Sequence, residues 1–198
     1  MSLEDNINTK LIFDADDTLW YDSKYFREFS TALKNKILNV GYSKEYINKI
    51  FQLVIKDCPP GEDGWIKAMF RFVGEFSLRS SASEEIEKYF RNFKNHPVEL
   101  LPGMKEMLMD LKEHDKYVYT KGIESEQIGK IENSGVKEFF ISIDVVEKKN
   151  SENLRKFLDS RNIDKNKAIF IGNSIKNDII PAVDIGIDAI WFNHPWNH

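Results

Sequence analysis

The most informative segment of the chain is Leu11-Ile12-Phe13-Asp14-Ala15-Asp16-Asp17-Thr18-Leu19-Trp20, because in it an apolar run leads directly into a cluster of acidic residues. The apolar run predicts a buried strand, and that strand delivers Asp14 to its carboxyl end. Parallel α/β sheets bind their ligands at that edge. Asp16 follows two residues later and can face the same pocket across a tight turn. One carboxylate can then attack phosphorus while the other transfers protons. Taken alone, the pattern also fits an acidic turn in which Asp16 or Asp17 caps a helix.

The rest of the chain alternates between short β-rich segments and amphipathic helical segments. The predicted strands are 10–14, 116–120, 139–146, 167–172 and 187–192. The predicted helices between them are 104–113, 125–134, 150–161 and 176–185. In the third helix, Leu154, Phe157 and Leu158 form one apolar face. Strands that alternate with helices imply βαβ crossovers, so we predict an α/β fold with a mainly parallel, Rossmann-like sheet.

Residues 20–98 break this alternation, because they contain helical patterns and no convincing strand. Four apolar stripes predict helices: Phe26, Phe29 and Leu33; Ile47, Ile50, Phe51 and Val54; Ile66, Met69, Phe70 and Val73; Ile86, Phe90 and Phe93. The segment 57–64, with two prolines and two glycines, predicts a loop that stops any helix. We therefore predict an all-helical domain, 20–98, inserted into a catalytic core formed by 1–19 and 99–198.

The amino-acid composition of the chain limits the kinds of partner that it is expected to bind. The chain has 198 residues and a formal net charge of −4, which argues against a general nucleic-acid binder. No apolar run reaches membrane-spanning length, and Met1 to Asp5 lack the apolar core of a signal peptide. The single cysteine, Cys58, cannot form an internal disulfide, which is typical of a reducing cytoplasm. These features favour a cytoplasmic protein that acts on a small molecule.

Three later segments also place polar residues at or just after predicted strand ends. Tyr117-Val118-Tyr119-Thr120-Lys121-Gly122 ends one strand with a hydroxyl group, and Lys121 either adds charge near a ligand or is a solvated turn residue. Val145-Val146-Glu147-Lys148-Lys149-Asn150 brings two lysines to a predicted helix start, and Lys149 directly precedes that start. A third β-rich segment is also followed by polar residues: Ile169-Phe170-Ile171-Gly172-Asn173-Ser174-Ile175-Lys176-Asn177-Asp178. Asp178 either holds a metal ion or stabilises the dipole of the next helix.

Together these four segments resemble, in order, the four motifs of the haloacid dehalogenase superfamily. The first resembles its Asp-x-Asp-x-Thr-Leu signature, and the fourth its Gly-Asp-Ser-x-x-x-Asp signature. Asn173 departs from the fourth motif, where an aspartate is usual. The resemblance covers nearly the whole chain and places the helical insertion where cap-bearing members carry theirs.

The resemblance implies a phosphatase mechanism and a set of site residues. Asp14 would be the nucleophile, Asp16 the general acid and base, Thr120 a ligand of a phosphoryl oxygen, and Lys149, with Lys148 as the alternative, the balancing charge. Mg²⁺ would be held by the Asp14 side chain, the Asp16 backbone carbonyl and Asp178, with Asn173 as a further ligand. Lys121, Gly122 and Trp20 would contact the substrate, a small phosphorylated metabolite. Asp17 is expected to act in the turn rather than in catalysis.

Two other functions are open at this point. A 2-haloacid dehalogenase would use the same aspartate on carbon without a metal ion. Asn173 favours that interpretation, whereas Asp16 opposes it because a halide needs no acid. A binding protein that has kept the fold but lost catalysis is the third interpretation, since fold alone does not prove function.

Overall fold

The computed structural model of the chain describes residues 9–59, 61–78, 84, 86–88, 90 and 97–193. The chain divides into two compact units, one formed by Met1–Ser23 and Val98–His198 and the other by Lys24–Pro97. The first unit contains the sheet, and the described part of the second is helical. The role of the second unit as a cap over an active site stays a prediction.

The sheet has five parallel strands in the order β3-β2-β1-β4-β5, which confirms the predicted α/β class. The strands are β1 Lys10–Phe13, β2 Lys116–Lys121, β3 Ser142–Val146, β4 Ala168–Gly172 and β5 Asp188–Trp191. β1 is central, so the end of β1 lies between the ends of β2 and β4. Strand β3 begins later than predicted, because the amide of Phe139 donates to Val136 in a tight 3₁₀ turn.

Apolar side chains cover both faces of the sheet at its central strands, as expected for parallel strands. Ile12 packs on one face with Tyr119, Phe157 and Phe170. Leu11 and Phe13 pack on the other face, in a cluster that also contains Trp20, Val118 and Leu108. Full burial of a side chain such as Ile12 or Phe13 stabilises the fold by about 1.5–3 kcal/mol. β1 is therefore a rigid base for the residues that follow it.

The helices of this unit are α4 Met104–Asp110, α5 Glu124–Asn133, α6 Ser151–Ser160 and α7 Ile180–Asp184 in the numbering used below. The prediction of an α-helix at 176–185 was only partly correct, because this segment begins as a π-helical turn, Ile175–Ile179. The amide of Ile180 donates five residues back to Ile175, and Pro181 has no N–H with which to continue an α-helical ladder.

The second unit contains α1 Ser23–Asn39, α2 Lys44–Lys56 and α3 Gly61–Gly74, and residues 84, 86–88 and 90 are also helical. The apolar stripes of α1 and α2 contribute Phe29, Leu33, Ile47 and Val54 to its core. The predicted buried face of α3 was partly wrong, because Phe72 is fully buried while Phe70 is 49% exposed. The ring of Phe70 stacks against that of Phe90. Phe93 lies outside the described residues. No helix in the described ranges is long and apolar enough to cross a membrane.

The loop predicted at 57–64 is shorter than expected, because α3 already begins at Gly61. Gly64 is buried in the first turn of α3, where an added Cβ would lie 2.5 Å from the carbonyl oxygen of Pro59. The absence of a side chain thus lets the preceding loop pack against the helix. Gly64 favours this close packing rather than ending the helix.

Candidate active site

A cleft of about 260 Å³ lies at the carboxyl ends of β1, β2 and β4. It contains Asp14 and Asn173, which directly follow β1 and β4, and Thr120, the penultimate residue of β2. Lys149 and Asp178 also line it. A larger groove of about 690 Å³ is formed by residues of α6 and α7, including Arg155, Asp159 and Val183. Because ligands of parallel sheets bind at the carboxyl ends of the strands, the smaller cleft is the candidate active site.

Asp14 and Asp178 share one buried cation. Lys149 Nζ donates to Asp14 Oδ1 and also, at 2.6 Å, to Asp178 Oδ1. The side chains of the three residues are between 0% and 8% exposed. Burial raises the pKa of Asp14 to about 6, against the opposing charge of Lys149. Burial alone would lower the pKa of Lys149, but the charges of Asp14 and Asp178 raise it overall, so this lysine stays protonated.

The two candidate lysines have different surroundings in the structure. Lys149 is buried beside Asp14, whereas Lys148 is exposed. Asn150 caps α6 by accepting a hydrogen bond from the amide of Asn153 at 2.8 Å, which fixes the helix start immediately after Lys149. The local helix start thus turns Lys149, and not its neighbour, into the cleft.

Asp178 is placed by the turn that follows β4. Its Oδ2 accepts a hydrogen bond from the amide of Ser174 at 2.8 Å. An added Cβ at Gly172 would lie 2.5 Å from that same oxygen, so only glycine leaves room for this carboxylate. Asn173 lines the cleft, and its main-chain oxygen accepts the indole N–H of Trp191 at 2.9 Å.

Asp16 lies in the same cleft, and nitrogen donors hold both of its carboxylate oxygens. Trp20 Nε1 donates to Oδ1 at 2.9 Å, and Lys130 Nζ donates to the same oxygen at 3.0 Å. Gln127 Nε2 donates to Oδ2 at 2.7 Å. Lys130 also donates to Asp22 Oδ1 at 2.5 Å. Burial and the nearby Asp16 raise the pKa of Asp22 to about 7, against the charge of Lys130.

Gln127, Lys130 and Asp22 were not among the site residues predicted from the sequence. Gln127 and Lys130 are three residues apart on α5, so they share one face of that helix. That spacing was the available signal, but polar residues on a helix usually face solvent. Their contact with Asp16 spans 111 and 114 positions of the chain.

The three residues proposed to contact the substrate have different surroundings. Lys121 is exposed and lines the cleft. Trp20 does not line the cleft, contrary to the prediction that it contacts the substrate. It is 1% exposed, packs in the apolar core and donates its indole N–H to Asp16. Gly122 is exposed, and an added Cβ there would meet Gln127 Cγ at 3.0 Å. Its lack of a side chain makes room for Gln127.

Asp17 has the turn role that was predicted for it. Its backbone has a positive φ of 56°, and its Oδ1 accepts hydrogen bonds from the amides of Asp22 and Ser23 at 2.9 and 3.0 Å. Both carboxylate oxygens of Asp17 face the amide of Ser23, so it fixes the chain where it leaves the cleft.

The net charge of the cleft affects which ligands it can bind. The cleft is lined by five aspartates and two lysines: Asp14, Asp16, Asp17, Asp22, Asp178, Lys121 and Lys149. Lys130 does not line the cleft but pairs with Asp16 and Asp22, so the formal excess is two negative charges. This excess repels an anionic substrate unless a cation accompanies it. No three acidic, histidine or cysteine side chains among the described residues converge as a metal cage. Mg²⁺ retains several waters and needs few protein carboxylates, so Asp14 and Asp178 are the residues that could hold it.

Comparison with known proteins identifies the family. Residues 11–192 match the family described as haloacid dehalogenase-like hydrolase, and the chain belongs to it. A curated relative, the pyrimidine 5'-nucleotidase PynA of Streptococcus pneumoniae, is 24% identical over 95% of this chain and 86% of its own.

Solved structures share the fold. A haloacid dehalogenase-like family hydrolase from Xanthomonas campestris has a TM-score of 0.76 and 25% identity over 95% of this chain and 83% of its own. The HAD-hydrolase YfnB of Bacillus subtilis, solved with bound magnesium, has a TM-score of 0.64 and 21% identity over 94% and 89% of the two chains. Phosphatases and 2-haloacid dehalogenases both occur among such structures, so the fold alone does not choose the reaction.

Proposed function

We propose that this hydrolase is a Mg²⁺-dependent phosphatase of small phosphomonoesters that forms an aspartyl phosphate on Asp14. The observation that carries the proposal is the pair of carboxylates in one cleft. Asp14 is buried against Lys149, and Asp16, two residues on, is held in the same cleft by nitrogen donors. A reaction with an alcohol leaving group needs both a nucleophile and an acid, and we assign these roles to Asp14 and Asp16.

The proposed reaction has two steps. A carboxylate oxygen of Asp14 bonds to phosphorus while the ester P–O bond breaks, and the leaving oxygen takes a proton from Asp16. Water then attacks the phosphorus of the acyl phosphate and gives its proton to Asp16, which frees Asp14 and inorganic phosphate. Thr120 would donate to a phosphoryl oxygen, and Lys149 and Lys121 would offset charge. Mg²⁺ held by the Asp14 side chain, the Asp16 backbone carbonyl, Asp178 and Asn173 would supply positive charge to the phosphate.

Nucleoside 5'-monophosphates are the first substrates to test. The motivation is the similarity to a pyrimidine 5'-nucleotidase across nearly the whole chain. Sugar phosphates form the comparison set. The single cysteine favours a cytoplasmic setting, where both classes occur, and the negative net charge disfavours nucleic acid as a partner.

The purified protein is expected to release phosphate from p-nitrophenyl phosphate and from a preferred nucleotide when Mg²⁺ is added, and EDTA is expected to abolish turnover. The physical reason is the excess negative charge of the cleft. Phosphate release is measured across a panel of esters with and without the metal. Metal-independent chloride release from 2-chloropropionate, with no phosphate release, would establish a dehalogenase. Ligand binding without any turnover would establish a binding protein.

Asn173→Asp is expected to lower the Mg²⁺ concentration that gives half-maximal activity. Asn173 lines the cleft with Asp178, and an added carboxylate offers a hard, anionic oxygen that Mg²⁺ prefers. The measurement is a titration of activity against Mg²⁺. Asn162→Asp, which adds the same charge at an exposed turn, is the control. An unchanged or higher half-saturating concentration would remove Asn173 from the proposed metal site.

A further inference from the structure

Asp16 is restrained far more than a surface carboxylate would be. Trp20 and Lys130 donate to Oδ1, and Gln127 donates to Oδ2. The distances, from 2.7 to 3.0 Å, are those of well-formed hydrogen bonds. Donors on both oxygens fix the rotation of the carboxylate as well as its position. The proposed reaction uses the Asp16 proton but assigns no task to these donors.

Lys130 joins Asp16 to a second carboxylate. Its side chain is 15% exposed and donates to both Asp16 and Asp22, whose side chains are 25% and 16% exposed. Bringing a lysine out of water is unfavourable, and only close opposite charges offset that loss. Asp16 and Asp22 raise the pKa of Lys130 above its ordinary value, so the lysine keeps its charge. Asp22 thereby anchors the lysine beside Asp16.

Burial of Gln127 carries an energetic cost, and its hydrogen bond to Asp16 accounts for a glutamine at this position. The residue is 5% exposed, and its Oε1 is buried without a hydrogen-bond partner in the part of the chain that the structure describes. A leucine would fill the same space without that buried acceptor. The amide of Gln127 lies so close to Gly122 that an added Cβ there would be 3.1 Å from Nε2. What the amide contributes is its donor to Asp16.

We propose that Lys130 and Gln127 are positioning residues that hold Asp16 for proton transfer, an inference that rests on the proposed function. Both are on α5, and neither lines the cleft, so they act through Asp16. The proton moves only between Asp16 and the leaving oxygen or the attacking water, and Lys130 and Gln127 keep theirs. A misplacement of about 1 Å in a reacting group costs about 10²-fold in rate, which is why such restraint matters.

Lys130→Met and Gln127→Leu are expected to lower kcat on an alkyl phosphate by about 10- to 100-fold with little change in KM. The deficit on p-nitrophenyl phosphate should be smaller, because an acidic phenol needs little protonation. Lys130→Arg should recover most of the activity, since arginine can donate to both carboxylates. Lys156→Met is the matched control: it removes an exposed helical lysine that donates to Glu152 at 2.6 Å, and it should change neither rate.

A double variant separates positioning from general destabilisation. If Lys130 acts through Asp16, Lys130→Met should cause no further loss in an Asp16→Asn background. Losses that multiply, or equal deficits on both esters, would overturn the positioning role. Thermal unfolding monitors the fold, and if Lys130→Met does not fold, Gln127→Leu and Lys130→Arg decide. An active wild type with unaffected variants overturns this inference alone, whereas a wild type that hydrolyses no ester overturns the proposed function as well.

Discussion

Asp14→Asn is expected to abolish turnover, with a loss of roughly 10⁴- to 10⁶-fold, and to form no phosphoenzyme. An amide is a far weaker nucleophile than a carboxylate, and the proposed intermediate is bonded to this side chain. The substitution preserves size, and Lys149 keeps Asp178 as a partner at 2.6 Å, so the fold should survive. Thermal unfolding of the variant checks that point.

The measurement combines steady-state phosphate release with intact mass after a rapid acid quench. The wild type should show a phosphoryl adduct under turnover, and Asp14→Asn should show none. Asp188→Asn is the control, because Asp188 is exposed at the amino end of β5 and outside the cleft. Retention of a phosphoryl adduct in Asp14→Asn would place the nucleophile elsewhere.

Asp16→Asn is expected to lower the rate by ~10²- to 10⁴-fold on an alkyl phosphate and by less on an aryl phosphate. An amide cannot donate the proton that an alcohol leaving group requires, whereas a phenolate leaves with little help. The same variant should slow hydrolysis of the phosphoenzyme, because the attacking water loses its base. Burst kinetics on both esters resolve the two steps.

The surroundings of Asp16 refine this expectation. Every contact of its carboxylate with Trp20, Gln127 and Lys130 comes from a donor, so the amide nitrogen that Asp16→Asn introduces would have to face at least one of them. A local shift therefore accompanies the loss of the proton, and it should affect both esters alike. Only the difference between the esters reports on acid catalysis. Equal deficits on both would leave Asp16 with its backbone carbonyl alone, as a metal ligand.

The fold class and the segments that line the candidate site could be predicted from the amino-acid sequence. Asp14, Thr120 and Asn173 could be placed at one edge of a parallel sheet because each lies at or just after the end of a β-rich segment. Such patterns can be read from the sequence because they depend on the polarity and turn preferences of residues that are adjacent in the chain. The glycine at 172 is another local signal, and its role in admitting Asp178 appears only in the structure.

Tertiary packing brings together side chains that are distant along the chain. It placed Lys149, the lysine that directly precedes the predicted helix start, in contact with Asp14. It buried Trp20 in the core, although its position beside the acidic loop had favoured the substrate pocket. It brought Gln127 and Lys130 to Asp16 through the packing of α5, more than a hundred positions away. The burial of Trp20 and the contacts of Gln127 and Lys130 with Asp16 depend on long-range packing, which no local pattern in the sequence specifies.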